Sequence, residues 1–139
     1  MDLSFVVVQM LTGLASASSL FIIASGLTIV FGVTRIVNFA HGSLYMLGAY
    51  FAVWLVPRLL DLSYGPLSFW AGILVSALAV GLLGVAMEVL LLRRIYRAPE
   101  LFQLLATFAL VLVINDVAQY IWGPEDLLGP RAPGLRGSV

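Results

Sequence analysis

The sequence contains no cysteine and no lysine, and its single histidine is His41. Without cysteine, disulfides and thiolate metal sites are excluded, and one histidine is too few for a histidine-based metal site. Without lysine there is no Gly-Lys-Ser/Thr phosphate-binding sequence, so nucleotide energy would have to come from another chain. We therefore expect no metal and no cofactor in this chain.

Charge is also scarce. Only 10% of the 139 residues are charged, and the seven arginines balance seven acidic residues. This balance excludes a strongly basic nucleic-acid-binding protein, so nucleic acid is not an expected partner. The sequence shows no pair of carboxylates on one helix face and no nucleophile with a base in reach, which makes an enzyme the least expected class.

Apolar surface, by contrast, is present in excess. Hydrophobic residues make up 62% of the chain and the mean hydropathy is +1.09, whereas soluble domains average about 45–50% apolar residues. A soluble fold could not cover this surface, so the natural solvent is membrane lipid. The composition predicts an all-α fold: a polytopic integral membrane helical bundle of about four transmembrane helices.

Four stretches reach the roughly 20 apolar residues that a membrane-spanning helix needs. They cover residues 3–34, 36–56, 67–92 and 101–122. A polar tail rich in glycine and proline, residues 123–139, follows on what we expect to be the outward side. The first stretch is longer than a perpendicular helix requires, so it either tilts strongly or breaks near the small-residue run 13–19.

The orientation depends on three arginines, Arg93, Arg94 and Arg97, which follow the third stretch directly. Cytoplasmic loops are enriched in positive charge, and charges close to a span end weigh most. We therefore expect loop 93–100 in the cytoplasm and both termini on the opposite side. Glu88, about one turn earlier, is expected to pair with Arg93 or Arg94.

Polar residues are concentrated between the first two spans. Arg35, Asn38 and His41 are spaced by three and would share one face of a helix, and Gly42 and Ser43 follow. One interpretation is a broken helix whose residues Asn38, His41, Gly42 and Ser43 line a translocation path. The other is a short cytoplasmic turn, in which Arg35 follows the positive-inside rule and Asn38 caps a helix. The residues alone leave both open.

Small residues recur at spacings that suit helix packing. Gly32 and Gly42 bracket the polar segment and would permit a helix break. Gly48 in the second span, and Gly72 and Ser76 in the third, would let helix backbones approach closely in lipid.

The fourth span carries its own polar residues. Asn115 and Gln119 share a face at a spacing of four, and Thr107 lies two turns before Asn115 on the same side. Such residues either line an outer vestibule or form interhelical hydrogen bonds. Both readings remain open for Thr107 and Asn115.

Two blocks of the sequence resemble one transporter family. The first, residues 25–50, is similar to the signature of inner-membrane permeases of branched-chain amino acid ABC transporters: SGLTIVFGVTRIVNFAHGSLYMLGAY. The second, residues 87–125, resembles the family's acid, arginine-rich cytoplasmic loop, LLATF helix and outward WGP segment: MEVLLLRRIYRAPELFQLLATFALVLVINDVAQYIWGPE. The blocks occur in the family's order and cover nearly the whole chain.

The resemblance implies a multi-pass permease subunit of the bacterial inner membrane that carries a small-molecule solute, a branched-chain amino acid. It implies three kinds of partner: a second permease subunit, cytoplasmic ATP-binding subunits and a periplasmic solute-binding protein. It identifies the chain with the N-terminal half of a permease and places residues 32–48 in the core of that permease, which favours the path interpretation. Two alternatives stay open: a urea or short-chain amide permease, and a truncated membrane interaction protein that does not transport.

Overall fold

The computed structural model describes residues 3–62, 65–125 and 127–129. Within these residues all regular structure is helical, and four helices are long and apolar enough to cross a membrane. The predicted all-α membrane fold is thereby confirmed. The chain divides into two compact units, residues 1–38 and 39–139, which are described separately. Asp126 and residues 130–139 of the predicted outward tail lie outside the described residues.

The first unit contains one helix, α1, Leu3–Thr34. It runs without a break through residues 13–19. The hydroxyl groups there are satisfied within the helix, since Ser18 Oγ donates to the Leu14 carbonyl at 2.8 Å and Ser19 Oγ to the Ala15 carbonyl at 3.2 Å. Of the two alternatives for this stretch, the break is therefore absent. The 32 residues extend over about 48 Å, well beyond a hydrocarbon core of about 30 Å, which leaves tilting or projection from the membrane.

In the second unit, α2 covers Ala40–Leu62, although the apolar run predicts residues 36–56. The helix continues past Pro57, which membrane helices tolerate where side chains and neighbouring groups cover the freed backbone. Proline at this position leaves the Val53 carbonyl without its helical N–H. Next to it, Arg58 Nη1 donates to the Trp54 carbonyl, and the guanidinium carbon lies 3.9 Å from the centroid of the Trp54 ring.

The third helix, α3, covers Pro66–Met87 and continues as a five-residue π-helix, Glu88–Leu92, and a short helix α4, Arg93–Ile95. Together they form a continuous helical rod that ends three residues beyond the predicted 67–92. The last helix, α5, covers Glu100–Trp122, against a predicted 101–122.

The core of the second unit lies along α2, which packs against both α3 and α5. The closest approach is at Gly72 of α3, where an added Cβ would lie 2.7 Å from Val56 Cγ2 and 3.2 Å from Val56 Cα. The buried side chains of α2, α3 and α5 are Ala40, Ser43, Leu47, Val56, Leu60, Ser76, Gln103, Thr107 and Ala118. Most of the other large apolar side chains are exposed, which is the surface that lipid would cover.

Candidate functional site

The polar segment after α1 begins with a left-handed residue. Arg35 has a φ of 56°, and its N–H donates to the Phe31 carbonyl at 2.8 Å, which is the αL form of a helix C-cap. Thr34 supports the same turn, because its Oγ1 donates to the Val30 carbonyl at 2.8 Å and accepts the Ile36 N–H at 3.3 Å. Glycine is the residue that usually occupies this position, and any other residue there carries a strain of about 1–2 kcal/mol. Strained backbone of this kind is typical of functional segments.

Because of this turn, residues 35–38 are not helical and α2 begins only at Ala40. The helix face that Arg35, Asn38 and His41 would share is therefore not formed. Asn38 is buried, whereas Arg35 is exposed. The interruption of the helix falls between the two glycines that bracket the segment.

The remaining predicted residues of this segment lie on different sides of α2. Ser43 is buried on the same face as Ala40 and Leu47, His41 is half-buried, and Gly42 is exposed. The structure thus places the hydroxyl of Ser43 within the packed face of α2 and leaves Gly42 on the outer face.

Gly32 and Gly48 lie inside continuous helices, α1 and α2, so neither is a helix break. A Cβ added at either position would meet nothing within 4 Å among the described residues. Gly48 borders a shallow groove between α2 and α3 with other small residues, Ala49, Ala52 and Ser76. Of the glycines predicted to allow close helix packing, Gly72 does so and Gly48 does not.

An apolar groove of about 360 Å³ lies between α2, α3 and α5 of the second unit. Its lining residues are Leu44, Leu47, Phe51, Leu83, Met87, Leu110, Val113, Ile114, Val117, Ile121 and Trp122. None of the polar residues predicted for a path belongs to this lining. What the groove offers chemically is a surface for an aliphatic group.

Trp122 closes one end of this apolar groove. Its ring stacks on Tyr50 with 5.2 Å between the centroids and meets the edge of Phe51 at 5.5 Å. The buried Nε1–H of Trp122 has no hydrogen-bond partner among the residues that the structure describes. This aromatic cluster fixes the C-terminal end of α5 against the middle of α2.

On α5, Thr107 is fully buried and its Oγ1 donates to the Leu104 carbonyl at 3.1 Å. Asn115 is half-buried and Gln119 is exposed. The buried face of α5 is completed by Gln103 and Ala118 rather than by Asn115.

A second cluster of polar contacts lies where the helical rod turns back towards α5. We call Glu88, Tyr96 and Gln103 the loop clamp. Tyr96 Oη donates to Glu88 Oε1, and Arg93 Nε lies 3.9 Å from the same oxygen. Of the two partners predicted for Glu88, the structure shows Arg93. Burial of the phenol, with the hydrogen bond to Glu88 and the negative charge of Glu88, raises the pKa of Tyr96 to about 12.

Gln103 completes the loop clamp from the first turn of α5. Its side-chain amide donates to the Ala98 carbonyl at 2.8 Å and to the Tyr96 carbonyl at 3.3 Å. Sequence reasoning missed Gln103, although its spacing of four from Thr107 places both on one helix face and could have indicated it. The loop that carries the arginines is therefore tied to both neighbouring helices.

The three arginines of this loop, Arg93, Arg94 and Arg97, are all exposed. Beside them, an apolar groove of about 270 Å³ separates the end of the helical rod from α5. Its lining residues are Leu91, Leu92, Ile95, Ala106, Ala109, Leu110 and Val113.

Comparisons with known proteins agree with this architecture. A family model described as "Branched-chain amino acid transport system / permease component" matches residues 9–134. The high-affinity branched-chain amino acid transport system permease protein LivH of Escherichia coli K12 is 26% identical over 124 residues, which are 88% of this chain and 40% of LivH. The corresponding protein BraD of Pseudomonas aeruginosa is 28% identical over 110 residues, 78% of this chain and 36% of BraD.

The chain therefore spans about 40% of the length of the curated relatives it matches. No solved structure matches it. The four membrane-length helices and these permease relatives together confirm a multi-pass protein of the bacterial inner membrane.

Proposed function

Because the chain belongs to the permease family of branched-chain amino acid transport systems, we propose that it forms part of the membrane path through which an ABC importer carries leucine, isoleucine or valine. The match of the family model over residues 9–134 is the observation that carries this proposal. In the assembled importer, a second permease subunit would share the path. Cytoplasmic ATP-binding subunits would supply the energy, and a periplasmic solute-binding protein would deliver the amino acid.

The apolar groove between α2, α3 and α5 supports this choice of solute. Along α5 it extends from Leu110 to Trp122, about 18 Å at the rise of an α-helix. Its volume of about 360 Å³ accommodates a branched aliphatic side chain. Complete burial of such a side chain contributes about 1.5–3 kcal/mol, enough to favour aliphatic over polar side chains by at least tenfold.

The charged end of the amino acid needs different partners, because a buried carboxylate or ammonium must be paired or hydrogen-bonded. Within the second unit, His41 and Ser43 precede Leu44 at the start of α2, and Asn115 follows Ile114 on α5. Both Leu44 and Ile114 line the groove. We assign the polar end of the solute to His41, Ser43 and Asn115.

Other predicted residues support the path in different ways. Thr107 is fully buried and its hydroxyl is held by the Leu104 carbonyl, so its proposed role is to shape α5. Gly42 lies on the exposed face of α2 and, because it has no side chain, would leave that face unobstructed. Asn38, in the strained segment after α1, is proposed as a path residue in its own right.

The experiment is leucine uptake by cells that express the complete importer with variants of this chain. Val117→Trp places an indole in the groove, whereas Val75→Trp adds the same ring to α3 at a position that borders no groove described above. The two positions are 47% and 48% exposed, so they are closely matched. We expect uptake to fall at least tenfold for Val117→Trp and to stay near wild type for Val75→Trp, and equal uptake by the two variants would contradict the groove's role.

The polar residues are tested separately. We expect His41→Leu and Asn38→Leu to lower leucine uptake while the amount of importer in the membrane stays unchanged. Unchanged uptake in both variants would count against a path role for this segment and leave its turn as a structural element. A complete importer that takes up urea or short amides but no branched-chain amino acid would refute the proposed solute.

A further inference from the structure

The arginine loop and the apolar groove beside it complement the two parts of a phospholipid, its charged phosphate and its aliphatic chain. The groove between the helical rod and α5 is lined entirely by aliphatic side chains and has a volume of about 270 Å³. Arg93 and Arg94 lie between the lining residues Leu92 and Ile95, at the end of the helical rod. An acyl chain in the groove would therefore end close to the guanidinium groups.

The charges of the loop favour an anionic headgroup. Glu88 pairs with Arg93 at 3.9 Å, which leaves Arg94 and Arg97 exposed and without an ion pair to any described residue. The other acidic side chain here, Glu100, is exposed at the start of α5. The guanidinium group matches phosphate oxygens with two parallel N–H donors. A zwitterionic headgroup also carries an ammonium group that the two arginines repel, so an anionic headgroup is favoured.

The loop clamp fixes the backbone that carries the arginines relative to the groove. Gln103 holds the backbone at Tyr96 and Ala98, and Tyr96 is bonded to Glu88. The segment that carries Arg94 and Arg97 is thus fixed to both helices that form the groove. A ligand that contacts the groove and both arginines would therefore have to order the two arginine side chains but not the backbone that carries them, which reduces the entropy cost of binding.

We propose that this surface binds an anionic phospholipid, with an acyl chain along Leu91, Ile95 and Ala109 and the phosphate at Arg94 and Arg97. The site is independent of the proposed solute and of the direction in which the chain crosses the membrane. It lies outside the groove assigned to the amino acid side chain, although Leu110 and Val113 border both grooves.

The test is native mass spectrometry of the full chain in mild detergent, with phosphatidylglycerol or phosphatidylcholine of the same acyl composition. We expect phosphatidylglycerol to be retained preferentially. Arg94→Gln and Arg97→Gln should each weaken its retention about fivefold, the factor that corresponds to one arginine near an anionic headgroup. Arg58→Gln, which removes the same charge from α2, should leave retention unchanged.

The groove is tested by Ala109→Phe, with Ala17→Phe on the exposed surface of α1 as its matched control. We expect the first variant to lower the retention of both lipids and the second to lower neither. Equal retention of the two lipids by the wild type, or an equal loss in Arg58→Gln and Arg94→Gln, would overturn the proposal. It would also be overturned if Arg94→Gln and Arg97→Gln both retained phosphatidylglycerol as the wild type does.

Discussion

The contact between α2 and α3 makes a quantitative prediction at Gly72. A methyl group at this position would lie 2.7 Å from Val56 Cγ2 and 3.2 Å from Val56 Cα, and Val56 is only 2% exposed. The Val56 Cγ2 atom belongs to a β-branched side chain with one strongly preferred rotamer in a helix, and Cα is backbone, so the helices must separate slightly. Overpacking of this kind costs about 1–3 kcal/mol, whereas the higher helix propensity of alanine returns at most about 1 kcal/mol. We expect Gly72→Ala to destabilise the second unit by up to about 2 kcal/mol.

Gly81 supplies the matched control, because it lies in the same helix and an added Cβ would meet nothing within 4 Å. Gly81→Ala has the same propensity gain, so the difference between the two variants isolates the overpacking cost of about 1–3 kcal/mol. The assay is reversible unfolding in mixed micelles with increasing dodecyl sulfate, followed by circular dichroism. Val56→Ala in the Gly72→Ala background should recover part of the loss. Equal stability of Gly72→Ala and Gly81→Ala would refute the packing argument.

Two further predictions concern the turn and the loop clamp. Arg35→Gly should stabilise the turn after α1 by up to about 1 kcal/mol, since glycine adopts the left-handed conformation without strain. Arg35→Ala is the control, because it removes the same charge but keeps the Cβ. Equal unfolding midpoints for the two variants would contradict the reasoning. For Tyr96, whose pKa is raised to about 12, the folded state favours the protonated phenol, so its stabilising contribution is complete below about pH 10 and is lost as the pH rises through about 12. The tyrosinate absorption that is missing in Tyr96→Phe should therefore appear above pH 11, and its appearance near pH 10 would exclude the clamp.

The number of membrane-length helices could be predicted from the sequence, because the length of an apolar run is sufficient to identify such a helix. The ends of α2 could not be predicted from that signal. Its start is delayed to Ala40 by the left-handed Arg35, and no residue type other than glycine or asparagine signals that conformation. Its end lies beyond Pro57, because proline does not stop a membrane helix as it stops a soluble one.

The candidate site was less predictable, for a physical reason. A soluble helix shows its buried face through the contrast between apolar and polar positions. In α3 nearly every position is apolar, and in α5 the polar residues occupy both buried positions, such as Thr107, and exposed ones, such as Gln119. The sequence therefore does not indicate which side of either helix packs against α2 and which meets lipid. The lining of the apolar groove at Leu47, Val113 and Val117 therefore emerges only from the packing. Polar residues such as Asn115 were visible in the sequence, but their burial was not.

The polarity of the apolar groove constrains how the proposed path can discriminate between solutes. No polar side chain except the partnerless Trp122 indole lies among its lining residues, so the groove can select for the shape of an aliphatic side chain but cannot compensate a charge. Recognition of the carboxylate and ammonium must then depend on groups beyond the groove, for which His41 and Ser43 at the start of α2 are the residues of the second unit that we propose. Under this division, Val117→Trp should change the preference among leucine, isoleucine and valine, whereas His41→Leu should lower the uptake of all three by a similar factor.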